Sequence, residues 1–449
     1  MSSSMKRLLA FLLVGVMSIS LFACGSTQND KAGNDSQVAD SSSSSTGSDL
    51  DFNFTISCLT SRDTKGGNSI TLQILMDNFA KDHPGFKYEP EYITDRSSYL
   101  QKLKILASSD ELPDWFDENP TPFARSLVDA GKVANMEEVL KEIGVYDKFY
   151  PVAITDSSFS DGSLYSIPWE GNSEYFWYNK DMFKAAGVEV PKTFDEFFDV
   201  CKKLKDNGKT PIAIANKDLW PLLRYAAQMP FRRTGNDFIY GLKDGTSKMS
   251  ESVGIESAEF IKKMAPYFNE GWATAEYNTG VDLFVGQKAA IYYMGTWVLP
   301  SLVDKNKELL PYIGYFTLPT ASGDVATGEN DFWANSGIQT YVLQKSMTPE
   351  MKEVLKYVIS NFADTALNEA NMISAMKPSK TDGLPEVYQS IINDLGRVKT
   401  AGQCWDVHLD PATLEVTEKE LVNVALGVTT PQEYAKKVDD SVAAYVASK

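Results

Sequence analysis

The side chains that usually break bonds are scarce in this chain. It has two histidines, His83 and His408, and neither sits in HExxH or any other metal-ligand spacing, so no metal site is expected. There is no GxSxG, no P-loop and no Ser/His/Asp order. The four cysteines, Cys24, Cys58, Cys201 and Cys404, include no CxxC pair. Cys58, Cys201 and Cys404 read as packing residues, not a disulfide framework. The chain is rich instead in rings beside planar polar groups, with eight Trp and 21 Tyr. Trp115 leads to Glu118 and Asn119, Trp169 to Glu170 and Asn172, and Trp333 to Asn335. An indole face covers an apolar surface, and a carboxylate or amide bonds two polar atoms at once. Such groups grip a ligand without changing it, and no cofactor is called for.

The elements that would carry these groups start after a distinct N-terminal segment. Lys6 and Arg7 precede an apolar run from Leu8 to Ala23, short for a membrane span but right for a secretory signal. The small residue before Cys24 resembles the bacterial lipobox, which implies removal of residues 1–23 and lipidation of Cys24. Residues 24–52 are mostly Ser, Gly, Asn, Asp and Thr, too polar to offset their ordering entropy. A flexible lipidated tether is expected there, reaching about 25–30 Å. The formal charge of −17 becomes −19 without Lys6 and Arg7. A body this acidic repels phosphate backbones, so nucleic acid is not an expected partner.

About 400 residues remain, more than one ordinary core and enough for two lobes. Strand signals at Asn53–Leu59, Phe86–Ile93 and Pro113–Phe116 alternate with helices at Ile70–Asp82 and Ser98–Ser109, the pattern of a parallel sheet with crossover helices. The pattern restarts after Leu164. Tyr175–Asn179 reads as a strand, and Thr193 with Glu196 as a capping box ahead of a stripe of Phe194, Phe197, Phe198, Cys201 and Leu204. Thr430 and Glu433 form a second box. Phe332–Leu343 reads as a strand passing between lobes.

Five segments in order carry a family resemblance: Leu164-Tyr-Ser-Ile-Pro168; Tyr178-Asn-Lys-Asp181; Pro191-Lys-Thr193 with Glu196; Phe284-Val-Gly-Gln-Lys-Ala-Ala290 with Gly295-Thr-Trp297; and Gly427 with Thr430-Pro431. Over about Asn53–Ala444 the chain resembles the family 1, maltose-binding-like, solute-binding proteins of bacterial ABC importers. The resemblance implies an α/β, two-lobe periplasmic-binding-protein-like fold with three hinge crossings, near Glu170, near Asp331–Ala334 and near Phe362. The implied lobes are 53–170 plus 334–362, and 171–333 plus 363–449. It also implies a lipid-anchored monomer on the extracellular face of the membrane that passes a carbohydrate ligand to an ABC permease.

A neutral sugar offers apolar C–H faces to indoles and a hydroxyl rim to amides and carboxylates. At the family's ligand positions this chain has Trp297, in Gly295-Thr296-Trp297, to stack on a ring. Asn172 and Glu170 stand at the first crossing, Glu118 and Asn119 after the Trp115 strand, and Arg62 and Asp63 in the first strand-to-helix loop. Trp333 and Asn335 lie on the second crossing, and Trp220 is a cleft-wall candidate. Trp405 is a weaker candidate; Trp169 and Trp177 bracket the first crossing, where the alternation of rings puts some of them in the core, and neither is taken as a ligand residue. Asn172 departs from maltose-type members, where a carboxylate is usual. The alternatives are another solute (glycerol phosphate, polyamine or peptide), a macromolecular partner at the surface, or an exported glycoside hydrolase using two of the sixty carboxylates.

Overall fold

A computed structural model describes residues 50–320, 331–398 and 400–448. Cys24 and nearly all of the expected tether lie outside those residues. The strands are β1 (Thr55–Thr60), β2 (Lys87–Tyr92), β3 (Trp115–Glu118), β4 (Ser166–Ile167), β5 (Asn172–Asn179), β6 (Thr210–Ala213), β7 (Ala289–Gly295), β8 (Ile313–Phe316), β9 (Asp331–Asn335), β10 (Gln339–Val342) and β11 (Thr400–Gly402). They form two sheets. The first has the order β2-β1-β3-β10-β4, and the second β11-β9-β5-β7-β6 with β8 on β5. In the first sheet β1 is parallel to β2 and β3, while β10 runs antiparallel to β3 and β4. The inner strands β3, β7 and β10 are buried at every position, because helices cover both faces.

Local chemistry sets the element ends as expected. The first helix, Gly67–Asp82, stops at His83-Pro84, where the proline ring disfavours a further helical turn. Thr193 and Glu196 form a complete capping box, as do Thr430 and Glu433. The stripe from Phe194 to Leu204 is buried as its spacing predicts. Cys58, Cys201 and Cys404 are buried and unpaired.

The chain leaves the first sheet after β4 and enters the second at β5, so the first crossing is residues 168–171 and includes Glu170. The second differs from expectation. Asp331–Ala334 belongs to β9, paired with β11 and β5, and the passage to β10 is made by Ser336, Gly337 and Ile338. The third differs more. Helix Pro349–Glu369 runs unbroken through Phe362, with Met351, Leu355, Val358, Phe362 and Ala366 all buried. It packs on Gly67–Asp82 of the first lobe. Ala375 and Lys377 still bond backbone of that lobe, through Tyr150 N to Ala375 O at 2.9 Å and Lys377 N to Lys148 O at 2.7 Å. Helix Glu386–Arg397 then packs on β5. The third crossing therefore follows Lys377, because nothing in the apolar stripe breaks the helix at Phe362.

Candidate functional site

The register of β5 sets the geometry. Asn172 pairs with Asn335 across β9, and Glu174 with Gly295 across β7. Residues two apart on a strand share a face. This brings Glu170, Asn172, Glu174 and Asn335 into one polar network where the first two crossings meet. Asn172 Nδ2 donates to Glu170 Oε2 at 2.8 Å and to Asn335 Oδ1 at 3.5 Å. Asn172 Oδ1 accepts from Thr296 Oγ1 at 3.2 Å. Asn68, at the start of the first helix, donates to Glu170 Oε1. Asn335 Nδ2 donates to Glu174 Oε1 at 3.1 Å. The Asn172 amide is thus taken at both ends, and through Thr296 it fixes the turn that carries Trp297. Burial pushes the Glu170 carboxyl above its ordinary range, against the bond from Asn172 and the charge of Arg62.

A cavity of about 140 Å³ lies between the lobes. Asn119 and Asp156 wall it from the first lobe, Asn335 and Gln339 beside the second crossing, and Arg224 and Asp406 from the second lobe. Arg224 Nη1 lies 3.3 Å from Glu174 Oε1, Nη2 lies 3.4 Å from Asp406 Oδ1, and the guanidinium touches Cys404 Sγ. Burial opposes the Arg224 charge, but Asp406, Cys404 and Glu174 hold its pKa well above the ordinary value. Asp156 Oδ2 accepts from Ser336 N at 2.8 Å and Ser336 Oγ at 2.7 Å, tying the wall to the crossing. His408 also lines the cavity, its Nε2 2.7 Å from Gln403 Oε1. Burial and then Lys243 push its imidazole down to about 4.

The Arg224 guanidinium sits 5.8 Å from the Trp220 ring, and that ring meets Trp297 edge-on at 6.1 Å. Both indoles are partly buried. They form a second surface beside the cavity wall, joined to it by Arg224.

The remaining expected residues lie elsewhere. Glu118 is 2% exposed and paired with Arg96 at 2.9 Å. Burial raises its carboxyl, against the charge of Arg96. Arg62 is bound to Asp117 and to the carbonyl of Ile338, so it braces the second crossing. Asp63 is exposed and caps its own loop, accepting from Lys65 N at 2.8 Å. Trp333 is 2% exposed, packed against Phe231 at 4.9 Å and over Gly402. It offers a ligand no open face in this conformation. Trp405, Trp169 and Trp177 are also core.

Five cavity-side residues were not singled out from the sequence: Asp156, Glu174, Arg224, Gln339 and Asp406. Arg224 was within reach, one helical turn from Trp220 on the same face. Glu174 shares a strand face with Asn172, and Asp406 follows Trp405. Asp156 and Gln339 carry no sequence signal, since only the folded crossings bring them to the wall.

The family model described as bacterial extracellular solute-binding protein matches residues 65–362. The chain belongs to the bacterial extracellular solute-binding proteins. Among relatives of this solute-binding protein, an uncharacterized ABC transporter extracellular-binding protein of Pyrococcus horikoshii is 24% identical over 99% of this chain and 93% of its own length. The multiple sugar-binding protein of Streptococcus mutans is 25% identical over 64% of this chain and 67% of its own. A solved chitin oligosaccharide binding protein shares the fold with a TM-score of 0.76 at 22% identity, over 88% of this chain and 99% of that one.

Proposed function

We propose that this solute-binding protein captures an uncharged mono- or oligosaccharide between its lobes and delivers it to a membrane ABC permease. Its family and the names of its sugar-binding relatives support the class of ligand. One observation carries the reading: the cavity wall draws on both lobes and a crossing, so a molecule held there touches all three. Its amides, carboxylates and guanidinium are the planar groups that bond adjacent hydroxyls. In this reading Asn119 and Asn335 bond the rim, and Trp297 and Trp220 cover the C–H faces. Asn172, Glu170 and Arg62 hold the crossings in place, with Glu118 braced by Arg96 behind Asn119. The cavity is smaller than the ~300–1,000 Å³ of ordinary ligand pockets, so the lobes part to admit a sugar and close on it. Ligand that touches both lobes only when they are closed shifts that equilibrium.

The protein acts as a binder and not as a hydrolase, working as a monomer at the extracellular face, held by lipid on Cys24 and the 24–52 tether. A thermal-shift screen of the mature protein against mono- and oligosaccharides tests the ligand class, since ligand favouring the native state raises the midpoint. At least one sugar is expected to raise it, with no product released on prolonged incubation. A flat response across the panel would reject the sugar assignment, and released product would reject the binder.

A further inference from the structure

The cavity carries more negative than positive charge. Asp156 and Asp406 line it from opposite lobes, and Glu174 stands against Arg224. One guanidinium answers these three carboxylates, at ion-pair distances of 3.3 and 3.4 Å to Glu174 and Asp406. Asp156 takes its close bonds from the uncharged Ser336. His408 adds no charge near neutrality, because burial holds it at about 4. Burial raises the Asp156 and Glu174 carboxyls, while the two bonds from Ser336 in the first and the charge of Arg224 in the second favour their ionised forms.

The wall also holds three buried polar atoms without a hydrogen-bond partner, the acceptors Gln339 Oε1 and Asp406 Oδ1 and the donor Arg224 Nε. Gln339 is 2% exposed and Arg224 9%, and both residues line the cavity. Leaving such groups unmet is costly. A hydroxyl both donates and accepts, so it suits an unmet acceptor and an unmet donor alike. A carboxylate only accepts. It would meet Arg224 Nε but leave the acceptors Gln339 Oε1 and Asp406 Oδ1 unmet, and it would bring another negative charge toward Asp156 and Asp406.

We propose that Asp156, Asp406 and Gln339 make this cavity a charge filter, which takes a sugar ring presenting hydroxyls and rejects the same ring oxidised to a uronate. The proposal rests on the sugar-binding reading above and narrows it. Asp156 and Asp406 are then specificity-determining residues contributed one from each lobe.

Calorimetry on the mature protein tests it with matched pairs: glucose and glucuronate, galactose and galacturonate, cellobiose and cellobiouronate. The neutral member is expected to bind about tenfold tighter or more wherever a pair binds, since rejection comes from a repulsive element. In Asp156→Asn and Asp406→Asn the neutral-to-uronate ratio is expected to fall. A uronate that binds as tightly as its neutral partner overturns the filter and leaves the sugar reading standing. Binding of neither member of any pair overturns both. If a variant loses its fold by circular dichroism, the wild-type comparison still decides.

Discussion

Replacing Trp297 by alanine separates a stacking indole from one that only packs. Trp297 is partly buried, folded back over Gly295 and set edge-on to Trp220 at 6.1 Å. Truncation loses that aromatic pair, about 0.5–1.5 kcal/mol of stability, which leaves a large domain folded. The effect on binding is larger. An indole buries up to ~250 Å² when fully covered, so a sugar that covers about a third of it removes about 80 Å² from water. At about 25 cal/mol per Å² this face contributes about 2 kcal/mol to binding. That corresponds to a loss of affinity of about 30-fold, with about 1–3 kcal/mol as the range once ordering costs are counted. Titration calorimetry with the sugar that gives the largest thermal shift reads this directly, with circular dichroism confirming the fold. An affinity within about twofold of wild type would refute the stacking role, because no other consequence of the truncation offsets a lost ring contact.

Other outcomes follow from the same geometry. Trp333→Ala is expected to cost about 3–5 kcal/mol in denaturant unfolding, as for a large core side chain; a change below about 1 kcal/mol would contradict its burial. Gly337→Ala should destabilise by about 1–3 kcal/mol. Gly337 has φ +63°, and an added Cβ would stand 2.7 Å from Glu170 Oε2, so an unchanged urea midpoint would contradict the tight second crossing. His408 should titrate by NMR near pH 4, below its ordinary 6.5, because burial disfavours the imidazolium. Its contribution to stability is then full above about pH 6.5 and is lost as pH falls through about 4; a midpoint near 6.5 would place the ring in solvent.

Much of the fold was legible because it rests on local rules. Capping boxes at Thr193 and Thr430, the Pro84 stop and the stripe from Phe194 to Leu204 all act within one or two turns of chain. The first crossing could be read from the Ile167-Pro168 segment. The third could not, because a buried stripe through Phe362 looks the same whether the helix stays in one lobe or leaves it. The site was harder still. Trp297 and Trp333 are both indoles near polar groups in sequence, yet one stays partly exposed beside Trp220 and the other packs over Gly402. That difference is set by which strand lies beneath each ring, a non-local fact. Arg224 was legible only as a neighbour of Trp220 one helical turn away; that Glu174 and Asp406 face it is a non-local fact.

The most direct measurement is a crystal structure of the mature protein grown with the sugar that binds best. One ring is expected between Asn119 and Asp156 on one side and Arg224 and Asp406 on the other, with Trp297 or Trp220 against a C–H face. A sugar seated on one lobe alone, away from those four residues, would contradict it.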